Sequence, residues 1–384
     1  MKNMKKALSL VAAASMMATA IAPVTVFADD TFKIGVIGPM TGDYAQYGLG
    51  VYKASLIAAE EINANGGING YQVEILEAGD DQGDPEKSMN AYNSLMDDGM
   101  QILAGTVTSG ACIAVKDLAD MDQTFLFTPS GSAVDCITNV AGAFRMCFTD
   151  PMQGTKSAQF IAEQGLASKV AVIYDSMADY NVGIHDAFVA ACGEYGLELV
   201  ADEAYTTDSN TDFSVQLAKV QESGAELLFL PNYYNDDALI LQQAADINLD
   251  VKIFGVDGMD GLLAVENFDT SLAEGCMLLT PFAASSTDEA TVKFVTAYGE
   301  ANNGETPNQF AADVYDVLYA LKAAIEAANV TPDMDNAEIC EALTAAMMDV
   351  TLEGLTGTTT WTEEGEPDKA PKAVVITNGV YEMM

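Results

Sequence analysis

The sequence predicts an α/β protein built as two parallel-sheet lobes, and three observations carry that prediction. Short β-rich runs alternate with helical patterns, the runs are almost continuously apolar, and the alternation comes as two successive series. Strands that are apolar on both faces belong to a parallel sheet covered by helices on each side. A length of 384 residues accommodates two domains of ordinary size.

The first series has β-rich runs at 32–40 (FKIGVIGPM), 71–80 (YQVEILEAGD), 101–105 (QILAG) and 124–130 (TFLFTPS). Between the first two, Val51, Ser55, Ala58 and Ile62 recur at three- and four-residue spacing, which predicts a helix that Asn65-Gly66-Gly67 terminates. The second series runs through 169–175 (KVAVIYD), 198–205 (ELVADEAY), 225–234 (AELLFLPNYY) and 251–258 (VKIFGVDG). Between the two series, RMCFTDP at 145–151 reads as a crossing point. After GCMLLTPF at 275–282 come two long helical patterns, 287–302 and 308–329, and a last strand, AVVITNG at 373–379. Chain left over once both lobes are built implies that the lobes exchange segments.

Acidic residues number 57 against 16 basic ones, for a formal net charge of −41. Such a surface is repelled by nucleic acid and by anionic lipid, so those partners are excluded. The 49% hydrophobic and 8% aromatic content is that of a packed protein, so the acidity does not signal disorder. Residues 1–28 read as an export signal: MKNMKK, an apolar stretch from Ala7 to Pro23, then Val26-Phe27-Ala28 as a cleavage site before Asp29. Cleavage near Ala28 places the mature protein outside the cytoplasm, periplasmic or at the cell surface. No cysteine precedes Cys112, so lipid attachment at a new N-terminal cysteine is not expected. No later segment reaches the roughly 18 apolar residues of a membrane span. The six cysteines lack any C-x-x-C pair and have one histidine to help them, which argues against zinc. Six cysteines allow fifteen pairings; disulfides and free buried thiols both stay open.

In open α/β sheets, ligands bind beyond the carboxyl ends of the strands. Those positions here are rich in Gly, Ser, Thr, Tyr and Asp. Ser109 and Gly110, ahead of a helical pattern at 111–120, and Ser130–Ser132 are placed to offer hydroxyls and free backbone N–H groups to a carboxylate. Helix capping is the plainer role for Ser109 and Ser132. Asp257 follows a strand and precedes Gly258, so it faces the same crevice as an N-cap or as the partner of an ammonium group. Tyr47, Tyr180, Tyr233 and Tyr234 add aromatic walls with polar tips. No nucleophile elbow, H-E-x-x-H, P-loop or dinucleotide fingerprint occurs, so neither an enzyme nor a cofactor is expected. His185 lies within a helical pattern and reads as a solvated helix residue. GDDQGD at 79–84 lacks the spacing of a calcium loop, and no metal is expected.

Taken together, FKIGVIGPMTGDYAQYG, AAEEINANGGING, DDQGDPEKS and FRMCFTDPMQG resemble the branched-chain amino-acid binding proteins of ABC importers, two-lobed type I periplasmic binding proteins, over essentially the whole chain after residue 28. The resemblance implies Rossmann-like lobes joined by three crossing segments that close on one ligand like a hinge. It divides the chain into 31–148 plus 282–360 for the first lobe and 149–281 plus 361–384 for the second. By position it puts a carboxylate grip on Ser109, Gly131 and Ser132, an ammonium partner on Asp257, Tyr180 and Tyr233 near the amine, and Tyr47 over the ligand's side chain. It implies a monomer serving a membrane permease, with leucine, isoleucine or valine as ligand. Asp257 stands where glutamate is usual in leucine-type relatives, and Gly83 and Thr108 stand where enterobacterial members have a disulfide. Alternatives in the same fold are a binder of amides, urea or a small carboxylate, or a ligand-sensing module.

Overall fold

A computed structural model describes residues 30–369 and 371–384; the export signal read at 1–28 lies outside them. The chain begins with β1 (Thr31–Gly35), β2 (Ile37–Gly38), α1 (Ala45–Ala64), β3 (Gln72–Ile75), β4 (Gly79–Asp80) and α2 (Pro85–Asp97). It continues with β5 (Ile102–Leu103), α3 (Ser109–Met121), β6 (Phe125–Thr128) and β7 (Ala143–Arg145). The second series holds α4 (Asp150–Glu163), β8 (Lys169–Asp175), α5 (Asp179–Tyr195), β9 (Glu198–Tyr205), α6 (Ser214–Ser223) and β10 (Leu227–Leu230). It closes with α7 (Tyr234–Asp246), β11 (Lys252–Gly255) and β12 (Met277–Thr280). The remainder is α8 (Glu289–Ala301), α9 (Gln309–Ala328), α10 (Asn336–Met347), β13 (Leu352–Gly354), β14 (Gly357–Thr359), β15 (Lys372–Thr377) and β16 (Val380–Met383).

Two sheets organise these elements. The first has the order β3-β1-β5-β6-β7 and is parallel throughout. The second has the order β16-β15-β12-β11-β10-β8-β9, parallel from β9 to β12, with β15 and β16 added antiparallel at one edge. The apolar runs explain the choice of parallel pairing: FLFT in β6, LLFL in β10 and MLLT in β12 are buried at every position. Each such Leu or Phe contributes on the order of 1.5–3 kcal/mol when removed from water.

The chain passes between the sheets three times, after β7, between β12 and α8, and between β14 and β15. Helices α9 and α10 return to the first sheet, α9 against α1 and α10 against β6. The third passage is anchored on the first sheet: Trp361 meets Phe127 edge-on at 5.6 Å, and its Nε1 donates to the Arg145 carbonyl at 2.8 Å.

Local departures from the sequence reading have physical reasons. β7 carries only AFR, too short to show a period, and it follows an irregular stretch. The run at 225–234 ends as strand at Leu230, because Tyr234 already begins α7. His185 is not solvated: it is 6% exposed, its ring stacks on Tyr174 at 3.6 Å, and Asp186 and Asp202 flank its two nitrogens. The GDDQGD segment is a turn in which Asp80 accepts from the Met40 and Thr41 N–H groups and Asp81 from that of Gly83.

Candidate ligand-binding cleft

One wall of the cleft forms where β5 and β6 end. Thr108 is extended, at φ −88° and ψ 150°, and α3 starts immediately after it, so the first N–H groups of α3 point out of the helix with no internal acceptor. The hydroxyls of Thr108 and Ser132 are buried and have no hydrogen-bond partner in the protein. A buried hydroxyl left unpaired is costly, and an anion held at the helix start would satisfy the Thr108 hydroxyl and the amides.

The neighbouring hydroxyls are committed to the wall itself. Ser109 Oγ accepts from the N–H groups of Ser132 at 3.2 Å and Ala133 at 3.1 Å. Ser130 donates to the Val107 carbonyl, and Thr128 Oγ1 accepts from Gly131 N–H at 2.8 Å. Behind the loop the fully buried Arg145 donates to the carbonyls of Gly131, Ala133 and Val134 at 2.9–3.1 Å, and its Nε lies 3.1 Å from a Glu366 carboxylate oxygen. Its charge is therefore spent on the scaffold.

The facing wall is acidic and aromatic. Asp257 follows β11, and its carboxylate accepts from the Tyr180 hydroxyl at 2.5 Å. Its backbone N–H donates to the Gln153 side chain, and its carbonyl accepts from Gln309 Nε2 at 2.8 Å. Burial pushes the Asp257 carboxyl up to about 6, against the lowering effect of the Tyr180, Gln153 and Gly258 hydrogen bonds. The next residue must be glycine, because a Cβ there would fall 2.5 Å from the Tyr180 hydroxyl, which accepts from Gly258 N–H at 2.9 Å.

Asp150, at the start of α4, is a second carboxylate on this side. It is buried, neither oxygen meets a donor at hydrogen-bond geometry, and burial holds it well above the usual carboxylate range with Asp257 adding to the rise. The Arg145 charge acts in the opposite direction.

Tyr47, Tyr180, Tyr233 and Phe310 fill the space between the walls. Tyr180 and Tyr233 stack at 4.6 Å, and Tyr47 packs against Phe310 at 4.2 Å. The Tyr47 hydroxyl donates to the Gly258 carbonyl and accepts from Tyr234 N–H, so a residue of α1 is bonded directly to the second lobe. Gln46 N–H to the Tyr234 hydroxyl and Asn235 to the Asp43 carbonyl add to this closure. The enclosed cavity is ≈ 10 Å³, room for about one water. Admitting a solute therefore requires the walls to separate.

The cavity is lined by Tyr47, Tyr180, Tyr233 and Asp257, four of the seven residues expected from the sequence, with Val107, Thr108, Ser130, Gly258 and Phe310. Ser109, Gly131 and Ser132 lie directly behind this face. Thr108 and Ser130 stood in the Ser/Thr-rich strand ends, and only geometry selects them over their neighbours. Asp150 could have been suspected from FTDP, an acid at a helix start. Phe310 had no sequence signal. Among the described residues, no group of three or more His, Cys, Asp or Glu is placed to hold a metal, and no helix is long and apolar enough to cross a membrane.

Comparison with known proteins agrees with this architecture. The profile of the periplasmic binding protein family matches residues 31–377. The Leu/Ile/Val-binding protein homolog 3 of Brucella melitensis is 31% identical over 362 residues, 94% of each chain. The leucine-, isoleucine-, valine-, threonine-, and alanine-binding protein of Pseudomonas aeruginosa is 29% identical over 340 residues, 88% of each chain. Among solved structures, the branched-chain amino acid transporter substrate binding protein LivJ of Streptococcus pneumoniae, in complex with isoleucine, superposes with a TM-score of 0.81 at 27% identity. That superposition covers 92% of this chain and 98% of the other. With two parallel sheets, three passages between them and a cleft at the strand ends, the chain belongs to the periplasmic binding protein family, in the branch that holds the Leu/Ile/Val-binding proteins.

Proposed function

We propose that this protein captures a small aliphatic amino acid, leucine, isoleucine or valine, between its lobes and presents it to the membrane permease of an ABC importer. The observation that carries this reading is a polarity that matches a zwitterion: unpaired hydroxyls and a helix start on one wall, the buried Asp257 carboxylate on the other. The ligand carboxylate lies at the Thr108 hydroxyl and the α3 amides, with Ser109, Ser130, Gly131 and Ser132 shaping that wall, and the ammonium lies between Asp257, Asp150 and the tyrosine hydroxyls. Tyr47 and Phe310 cover the aliphatic side chain. The names of the relatives favour branched-chain ligands, and aromatic side chains suit an aliphatic group.

The moving bodies follow the division expected from the sequence, 31–148 with 282–360 and 149–281 with the end of the chain, turning about the three passages, except that 361–369, given to the second lobe there, goes with the first body through Trp361 and Lys369. A ligand that touches both walls stabilises the closed form by its differential affinity, and opening releases it. No chemistry on the ligand belongs to this reading: Ser130 donates to a carbonyl, Thr108 has no base beside it, and no nucleophile is poised. Cleavage near Ala28 delivers the protein, as a monomer, outside the cytoplasm.

A thermal-shift screen of the twenty amino acids tests the assignment, since a ligand at 100 times its dissociation constant adds about 2.7 kcal/mol. Stabilisation by Leu, Ile or Val is expected. No shift with any aliphatic amino acid overturns it.

A further inference from the structure

The six cysteines occupy different surroundings, and two of them stand apart. Cys112 on α3 and Cys136, in a short helical turn at 134–136, are both fully buried on either side of the 130–134 loop. Cys112 Sγ lies 3.6 Å from the Cys136 carbonyl oxygen, and Cys136 Sγ lies 3.7 Å from the carbonyl of Ser109, three residues before Cys112. Each thiol thus points at backbone that belongs to, or lies one turn from, the other cysteine. Cys147, Cys192, Cys276 and Cys340 lie on four separate elements: the first passage, α5, the approach to β12 and α10.

We infer that Cys112 and Cys136 are a disulfide site, joined when the chain folds in an oxidising compartment, with the dithiol seen here as its reduced form. The crosslink ties the start of α3 to the loop that carries Ser130 and Ser132, the two parts of the hydroxyl-lined wall. With Cys112 Sγ already 3.6 Å from the Cys136 backbone, the pair starts close to the separation from which a bond of about 2.05 Å closes.

The oxidant is a small disulfide such as oxidised glutathione. The Cys112 thiolate attacks one of its sulfurs and expels a glutathione thiolate, giving a mixed disulfide. The Cys136 thiolate then attacks Cys112 Sγ and expels the second glutathione. One sulfur–sulfur bond forms and one breaks; the two electrons and the two cysteine protons end on two glutathione thiols. Because neither sulfur is exposed, the reaction belongs to folding, before the loop closes over the pair.

The full chain, unfolded in guanidinium with reductant and refolded with oxidised and reduced glutathione, is then denatured, alkylated and mapped by mass spectrometry. The expected result is a single crosslinked peptide pair containing Cys112 and Cys136, with the other four cysteines alkylated. Alkylation of all six, or a crosslink between any other two, overturns the proposal. Because a serine at either position alone could disturb packing, the melting temperature is also compared with and without reductant. It should fall on reduction in the wild type and be indifferent in Cys112→Ser and in Cys136→Ser. A wild type indifferent to reductant while every variant folds overturns the proposed tie across the wall.

Discussion

The two walls of the cleft solve opposite problems with opposite materials. The wall at the ends of β5 and β6 presents neutral groups, and the one arginine near it is buried against three carbonyls and Glu366. The wall at the end of β11 presents carboxylates whose pKa values burial raises. A protein of net charge −41 gains nothing from long-range attraction for an anion, so its carboxylate site must rest on local amides and hydroxyls. An ammonium group, by contrast, meets a ready carboxylate whose desolvation it relieves.

The comparison is broken most severely by removing the charge that supports the neutral wall. Arg145→Met takes a donor from three carbonyls, leaving that of Gly131 with none, and leaves Glu366 without its partner, so a loss of about 3–5 kcal/mol in denaturant unfolding is expected, with Arg145→Lys recovering only part. Next is Asp257→Ala, which should weaken amino-acid binding at least tenfold in calorimetry while the protein stays folded; unchanged affinity removes its role as ammonium partner. Stability and ligand affinity respond oppositely to pH. Asp257 and Asp260, pushed up to about 6 and about 7, make the unliganded protein more stable below the ordinary carboxylate pKa, and that stability is lost as pH rises through 6 to 7. The ligand needs the ionised carboxylate, so its affinity should fall about tenfold per pH unit below 6. Thermal melts with and without ligand at pH 5 and 7.5 separate the two slopes.

The smallest and sharpest contrast lies between two adjacent residues. Ser109→Ala orphans two backbone N–H groups and should cost about 1–3 kcal/mol of stability. Thr108→Val removes a hydroxyl that holds nothing in the protein, so stability should not fall while affinity drops several-fold. Equal stability losses in the two variants would show that the hydroxyl at 108 is structural too.

Much of this was readable before any fold was drawn. Strand and helix order follows from the spacing of apolar residues, because a strand buried on both faces cannot be written in another alphabet, and β8 and β9 fall where their runs stand. Asp257, Tyr47, Tyr180 and Tyr233 were legible as polar or aromatic residues at strand ends and helix starts. Less legible were side chains whose role depends on direction. His185 has a helix residue's sequence context, yet Tyr174 and two aspartates enclose it.

The sequence by itself therefore determined the two-lobed α/β plan, the acidity that rules out an electrostatic anion trap, and the candidate ammonium partner, since each depends on residue type and local period. Only the tertiary structure decided that Thr108 and not Ser109 faces the cavity, that Phe310 and Asp150 join residues far from them in the chain, and that Cys112 meets Cys136 among fifteen possible pairings. The physical reason is that a period fixes which face of an element is buried, whereas a contact between elements depends on how the sheets, helices and three passages bring those faces together.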